Sequence, residues 1–177
     1  MKKLVLFFGV LVLFSFSVLG VEIDNCTTLS TPDTFYELNQ SVNSSGTCMT
    51  ISANNVTLDC DGYTINYSQS ETGYGVETSG TRDNLTIENC EIVQGDNSNG
   101  DANAIYLSNS EDCLIRNNII TTTGTSGIGI YLYFSSNNII INNNITTEGL
   151  WGHLVRIYSS SNNLLINNNV TNNNNGA

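Results

Sequence analysis

The sequence has little charge, a single proline and a single histidine among its 177 residues. Only 12% of the residues are charged, against about a quarter in an ordinary soluble domain. Lysine and arginine together number five, too few for the basic surface of a nucleic-acid-binding protein. A coiled coil is excluded as well, because it needs charged residues beside its apolar seam. Apolar residues make up 40%, which argues against full disorder, and asparagine is abundant, with 28 residues.

The N-terminus has the order of a secretory signal peptide. Lys2 and Lys3 precede an apolar run from Leu4 to Leu19, and Gly20 offers a cleavage site. An uncleaved membrane anchor is the alternative, but this run is shorter than the roughly 20 residues that a span requires. We therefore predict that residues 1–20 are removed and that the protein is secreted or at the cell surface, either extracellular or periplasmic. Cleavage removes Lys2 and Lys3 and changes the net charge from −11 to −13.

The remainder of the chain repeats itself. An apolar anchor residue recurs at intervals of 29, 28, 25 and 25 residues, at Leu58, Ile87, Ile115, Ile140 and Leu165. A second apolar position lies five residues after each anchor, at Tyr63, Ile92, Ile120, Ile145 and Val170. A third apolar pair precedes the last three anchors, at Ile105 and Leu107, Ile130 and Leu132, and Val155 and Ile157. Internal repeats of this length indicate a stacked architecture.

Each repeat has the pattern of short strands joined by polar turns. Apolar residues alternate with polar ones over short runs rich in isoleucine, valine and threonine, broken by glycine, serine and asparagine. About three strands per repeat predict an all-β fold, a single-stranded right-handed parallel β-helix of about five to six rungs of 25–29 residues. The handedness follows from the preference for right-handed parallel crossovers. A lone rung cannot fold, since its few buried side chains do not offset the entropy of ordering about 25 residues.

The repeat pattern also divides the mature chain. Residues 21–46 lack the pattern and are predicted to form an N-terminal cap, while residues 47–177 form the β-helix. No capping segment follows the last repeat, so we expect an incomplete solenoid, either a fragment of a longer chain or one half of an end-to-end assembly.

Asparagine recurs two residues after the last four anchors, which predicts a structural ladder at one corner of the helix. The ladder members are Asn89, Asn117, Asn142 and Asn167. An amide both donates and accepts hydrogen bonds, so identical residues on successive rungs can bond to each other, and asparagine tolerates the left-handed backbone conformation of corners. The alternative is that these amides contact a ligand.

Export permits disulfides, and the chain has five cysteines. Cys26 and Cys48 lie before the repeats, so we predict a disulfide between them. Cys60, Cys90 and Cys113 lie inside repeats and are expected to be buried free thiols. No paired cysteine or histidine spacing indicates a metal site.

The N-N-x-I runs, Asn117-Asn118-Ile119-Ile120 and Asn142-Asn143-Asn144-Ile145, resemble the repeats of NosD-like and pectin-lyase-like proteins of archaea and bacteria. The resemblance covers about residues 47–171 and implies the right-handed parallel β-helix fold. This fold hosts lyases, hydrolases, epimerases, adhesins and scaffolds, so it does not define an activity. NosD-like proteins are described as copper-binding, but the mature chain offers only His153, Met49 and thiols as ligands.

Two function classes follow. The first is a non-catalytic scaffold, adhesin or glycan-binding module. In that class, Tyr74 and Trp151 are the possible ligand contacts on a flank of stacked loops, residues 68–75, 95–101, 121–127 and 147–152. The second is a polysaccharide lyase or glycoside hydrolase, but no complete motif is present and we assign no catalytic residue. Glu88 and Arg116 share one outward column and are expected to form a surface ion pair. We predict no cofactor, with calcium as an option, and a polysaccharide or cell-surface glycan as the partner.

Overall fold

The structure is a computed structural model, and it describes residues 20–95 and 100–173. The predicted signal peptide therefore lies outside the described residues except for Gly20. Within the described ranges the chain forms strands, turns and bends and no helix. No helix long and apolar enough to cross a bilayer is found in that part of the chain.

The strands are short, between two and six residues, as expected where turn residues interrupt every apolar run. In chain order they are β1 (Val21–Ile23), β2 (Thr28–Leu29), β3 (Phe35–Leu38), β4 (Val42–Asn43), β5 (Met49–Ile51), β6 (Thr57–Asp59), β7 (Thr64–Tyr67), β8 (Val76–Thr78), β9 (Thr86–Glu88), β10 (Glu91–Gln94), β11 (Ile105–Ser108), β12 (Leu114–Arg116), β13 (Ile119–Thr122), β14 (Ile128–Tyr133), β15 (Ile139–Ile141), β16 (Asn144–Thr147), β17 (His153–Tyr158), β18 (Leu164–Ile166) and β19 (Asn169–Asn172).

These strands form three parallel sheets, and each turn of the chain contributes one strand to each sheet. Sheet 1 has the order β1-β3-β6-β9-β12-β15-β18, sheet 2 the order β4-β7-β10-β13-β16-β19, and sheet 3 the order β2-β5-β8-β11-β14-β17. With six or seven strands per sheet, the molecule is a parallel β-solenoid of about six turns. The predicted all-β solenoid is confirmed.

The predicted register of the anchors is also confirmed. Leu58 pairs with Ile87, Ile87 with Ile115, Ile115 with Ile140, and Ile140 with Leu165. The anchors of the inner turns are almost completely buried, and each contributes about 1.5–3 kcal/mol of burial free energy. The second column was wrong at one position, because Ile65 and not Tyr63 pairs with Ile92. The corner before β7 is longer, so Tyr63 lies in a turn and is partly exposed.

The segment 21–46 differs from the predicted cap. It contributes β1 and β3 to sheet 1, β2 to sheet 3 and β4 to sheet 2, in parallel with the later turns. The solenoid therefore begins at Val21 and not at residue 47. The sequence pattern fails here because β2 and β4 have only two residues each, which is too short for apolar alternation to be visible.

The asparagine ladder lies one residue later than predicted. Asn118, Asn143 and Asn168 point into the corner between sheets 1 and 2, and Asn118 Nδ2 donates to Asn143 Oδ1 at 2.9 Å. The side chain of Asn143 continues the ladder to Asn168 Oδ1 at 3.0 Å. A second inward ladder joins Asn138 Nδ2 to Asn163 Oδ1 at 3.1 Å at the corner between sheets 3 and 1.

The four predicted ladder residues have another role. Asn89, Asn117, Asn142 and Asn167 all have positive φ, between 50° and 57°. Asparagine tolerates this left-handed conformation, which turns the chain at each corner. Asn117, Asn142 and Asn167 are exposed, while Asn89 is half-buried and donates from Nδ2 to Asp59 Oδ1 at 3.1 Å. Their contribution is to backbone geometry, and the inward ladder belongs to the residues that follow them.

Two disulfides link the N-terminal turns. One joins Cys26 to Cys48, the pair that the sequence suggested. The other joins Cys60 to Cys90, so the prediction that these two are free thiols was wrong. Their Cα atoms lie 4.7 Å apart on successive turns at the corner after sheet 1, within the usual range for a disulfide. Cys113 is free and buried, as predicted, and desolvation raises its pKa to about 12.

We expect non-reducing peptide mapping of the exported protein to recover two links, Cys26–Cys48 and Cys60–Cys90. Cys113 should react with iodoacetamide only after unfolding, because the buried thiol is protonated at neutral pH. Replacing both Cys60 and Cys90 with serine should lower the free energy of unfolding by about 2–4 kcal/mol. Recovery of alkylated Cys60 from the folded, non-reduced protein would contradict this pairing.

Candidate functional site

A groove lies on the outer face of sheet 3. Its volume is about 370 Å³, and its lining residues come from four successive turns. It is lined by Tyr74, Asp101, Asn103, Tyr106, Ser126, Ile128, Tyr131, Trp151, His153 and Arg156. The solenoid builds this groove by stacking equivalent positions, since Tyr106 pairs with Tyr131 and Tyr131 with Arg156 in adjacent strands.

A tyrosine stack forms one wall of the groove. The Tyr74 and Tyr106 rings are stacked with centroids 5.1 Å apart, and the Tyr131 ring lies 5.4 Å from Tyr106. Because Tyr74 and Tyr106 are stacked, the ring faces that touch each other are not free to contact a ligand. Burial raises the pKa of the Tyr74 and Tyr131 phenols, so both are protonated at neutral pH and can donate hydrogen bonds.

Trp151 is the most exposed aromatic residue of the groove, with 77% of its surface exposed. It lies in the corner that precedes β17, beside His153 at the start of that strand. An exposed indole offers an apolar face together with one N–H donor. The lining of the groove therefore includes a flat apolar surface on which a ligand ring can stack.

The charges of the groove are few and separated along the solenoid axis. Asp101 lies in the corner before β11, and Arg156 lies on β17 with its guanidinium 5.1 Å from the centre of the Tyr131 ring. Such a cation–π contact holds the guanidinium flat on the ring while its N–H groups stay available to a ligand. The arrangement can hydrogen-bond both acceptors and donors of a polar ligand.

The structure brings together the two residues that sequence analysis proposed as ligand contacts, since Tyr74 and Trp151 both line this groove. Of the proposed flanking loops, residues 96–99 lie outside the described residues. Sequence analysis missed Tyr106, Tyr131 and Arg156. Their signal was present, because each occupies the outward position between two apolar residues of a repeat, and the flanking residues of Tyr106 and Tyr131 are buried.

Acidic side chains on successive turns also occur on sheet 1, away from the groove. Asp59 and Glu88 are on β6 and β9, and the predicted ion pair between Glu88 and Arg116 is present, although the Glu88 side chain is largely buried. Hydrolysis of a glycosidic bond needs two facing carboxyl groups, and among the described residues Asp101 is the one carboxylate that lines the groove on sheet 3.

A protein-family model described as "Periplasmic copper-binding protein (NosD)" matches residues 17–177. The architecture places the chain in the class of parallel β-solenoid proteins, here with a groove on one sheet. Because the match covers most of the sequence, the chain belongs to the NosD family. No curated protein and no solved structure matches the chain.

The residues of this chain do not fit the copper in the family's description. Cys26, Cys48, Cys60 and Cys90 are in disulfides, and Cys113 is buried with its pKa raised to about 12 by desolvation. Met49 is fully buried and cannot reach His153, which lies on the outer face of sheet 3. Within residues 20–95 and 100–173, no group of three or more histidine, cysteine or acidic side chains could hold a metal ion. The same finding gives no support to a calcium site.

Proposed function

We propose that this chain is an exported, non-catalytic β-helix protein that binds a saccharide in the groove on sheet 3. The observation that carries the proposal is the pairing of an exposed indole with a wall of protonated tyrosine hydroxyls, completed by one carboxylate and one guanidinium. Saccharides present apolar C–H faces and a dense set of hydroxyl groups. The groove offers matching groups, and Tyr106, Tyr131 and Arg156 are placed on paired strands.

Three observations support a saccharide over other ligands. The net charge of −11 and the scarcity of basic residues disfavour nucleic acid and anionic membranes. The groove is partly open to solvent rather than enclosed, which fits a segment of a polymer better than a small apolar molecule. The predicted signal peptide would place the protein where polysaccharides and cell-surface glycans occur.

Replacing Arg156 with glutamine should weaken saccharide binding about tenfold while leaving the melting temperature nearly unchanged. Arg156 is exposed and its described contact is the stack on Tyr131, so its loss removes ligand hydrogen bonds rather than core packing. Binding is measured by titration calorimetry, with a saccharide selected from an array of plant, microbial and animal glycans.

Arg116→Gln is the matched control. Arg116 pairs with Glu88, whose side chain is almost buried, so this variant should lose about 1–2 kcal/mol of stability without any change in binding. Failure of the mature protein to bind any glycan on the array would contradict the proposed function. Equal losses of binding in both arginine variants would show that the groove is not the site.

A further inference from the structure

Two corners beside sheet 3 contain an aromatic residue where equivalent corners contain a small polar one. Before sheet 3, three successive turns place Asp101, Ser126 and Trp151 in the left-handed conformation, with φ of 58°, 63° and 63°. After sheet 3, the corresponding residues are Asn109, Phe134 and Ser159, with φ of 51°, 50° and 49°. The backbone bonds repeat as well, since Asn109 N–H donates to Tyr133 O and Phe134 N–H donates to Tyr158 O.

Local backbone energetics do not explain these two aromatic residues. Asparagine and aspartate tolerate the left-handed region, whereas a bulky residue there is an uncommon and unfavourable choice. Trp151 and Phe134 occupy such positions although the neighbouring turns show that small polar residues suit the same corner. Backbone strain of this kind is concentrated at functional sites, where another requirement determines the residue.

Burial does not explain them either. Trp151 is 77% exposed and Phe134 is 47% exposed, so most of the indole and about half of the phenyl ring face solvent. Phe134 packs edge-on against Tyr133, with ring centroids 4.5 Å apart, and lies 6.0 Å from the ring of Tyr158, which is itself 47% exposed. The aromatic side chains form a surface that is held in place but not covered.

Trp151 and Phe134 lie at opposite ends of the strands on the same sheet face. Trp151 precedes β17 and Phe134 follows β14, and these paired strands are each six residues long. A strand of this length extends roughly 20 Å. Between its ends, Tyr131 and Tyr133 point outward, and Tyr133 stacks on Tyr158 at 5.5 Å. The groove is therefore continuous with a second aromatic cluster formed by Phe134, Tyr133 and Tyr158.

We propose that Phe134 and Tyr158 form a second saccharide subsite, so that the ligand is an oligosaccharide segment lying parallel to β14 and β17, from Trp151 to Phe134. The inference rests on the proposed function of the groove and adds the length and direction of the ligand. A chain of several sugar units spans this distance, whereas a monosaccharide or disaccharide fills only the groove. The hydroxyl-rich tyrosine face between the two rings suits a sugar chain better than an apolar peptide.

The test uses two substitutions that restore the small polar residue of the same corner, Phe134→Asn and Trp151→Ser. The control is Ser159→Asn, which changes the next turn of the Phe134 column and removes no ring. The probes are cello-, xylo-, manno- and chito-oligosaccharides, each as the disaccharide, trisaccharide and hexasaccharide. Affinity is measured by titration calorimetry and the melting temperature by calorimetric scanning.

We expect Phe134→Asn to weaken hexasaccharide binding about tenfold and to leave disaccharide binding unchanged. Trp151→Ser should weaken binding of every length. Both variants should melt about 2–4 °C above the parent protein, because the left-handed corner is relieved of a bulky residue. Ser159→Asn should change neither affinity nor its length dependence.

The outcomes separate this inference from the proposed function. Absence of binding to every probe, together with a blank glycan array, overturns both. Binding that weakens with Trp151→Ser but is unaffected by Phe134→Asn at every length overturns the second subsite alone. A lower melting temperature for Phe134→Asn would show that the ring serves packing, and would also overturn the inference.

Discussion

Replacement of Asn143 by alanine is expected to lower the free energy of unfolding by about 3 kcal/mol. The Asn143 side chain is almost completely buried, and its Nδ2 donates to Ile115 O and to Asn168 Oδ1, both at 3.0 Å. Its Oδ1 accepts from the backbone N–H of Asn118 at 3.0 Å and from Asn118 Nδ2 at 2.9 Å. Alanine leaves several of these buried groups without a partner, and each costs about 1–3 kcal/mol.

The measurement is chemical denaturation of the mature protein, with Asn142→Gly as the control. Asn142 is adjacent in sequence but exposed, and its φ of 57° is one that glycine adopts readily. The control should therefore change the free energy of unfolding by only a few tenths of a kcal/mol. Similar losses for both variants would contradict the position of the ladder. A loss of stability confined to Asn142→Gly would indicate that the ladder is formed by the column that contains Asn142, as the sequence suggested.

The solenoid and most of its register were predictable, because the sequence repeats the physical requirement of each turn. Leu58, Ile87, Ile115, Ile140 and Leu165 all fill the same inward column, so the same residue type recurs at nearly constant spacing. The N-terminal turns were not predictable in this way. Their strands β2 and β4 have two residues each, and no periodicity can be read from two residues.

The corners were harder to predict than the strands. Within a strand, residues point alternately to the inside and the outside of the solenoid. This alternation ends where a residue in the left-handed conformation turns the chain at a corner. Asn117 and Asn142 are such residues, so the amide that points inward belongs to the next residue. The Cys60–Cys90 disulfide was missed for a related reason. The corner between β6 and β7 has two more residues than the corner between β9 and β10. The sequence spacing therefore does not show that the two cysteines are neighbours on successive turns.

The candidate site was only partly predictable. Tyr74 and Trp151 could be selected as aromatic residues in stacked loops, and both line the groove. Tyr106, Tyr131 and Arg156 are separated by 25 residues in sequence, and they meet because β11, β14 and β17 are paired in register. They come together only through the register of sheet 3. The alternation of apolar and polar residues in the sequence shows that they point outward, but not that they line a common groove.

Gly73→Ala should have the other large effect, a loss of about 3 kcal/mol or more in the free energy of unfolding. A Cβ atom on Gly73 would overlap the backbone of Gly46 and Thr47 in the adjacent turn. The turns cannot move apart easily, because the Tyr74 N–H donates to Thr47 Oγ1 at 3.1 Å and the Cys48 N–H donates to Tyr74 O at 2.9 Å. Insertion of a methyl group against rigid backbone lies at the upper end of overpacking costs.

Gly46→Ala tests the same contact from the other side. The nearest atom to a Cβ on Gly46 would be the Thr72 carbonyl oxygen at 3.6 Å, an ordinary van der Waals distance. This variant should be neutral or slightly stabilised, since alanine reduces the entropy of the unfolded chain. The pair also tests the link between stacking and the groove, because displacement at Gly73 moves Tyr74 away from Tyr106 and should weaken saccharide binding. Equal melting temperatures for the two variants would show that these turns are not in contact as described.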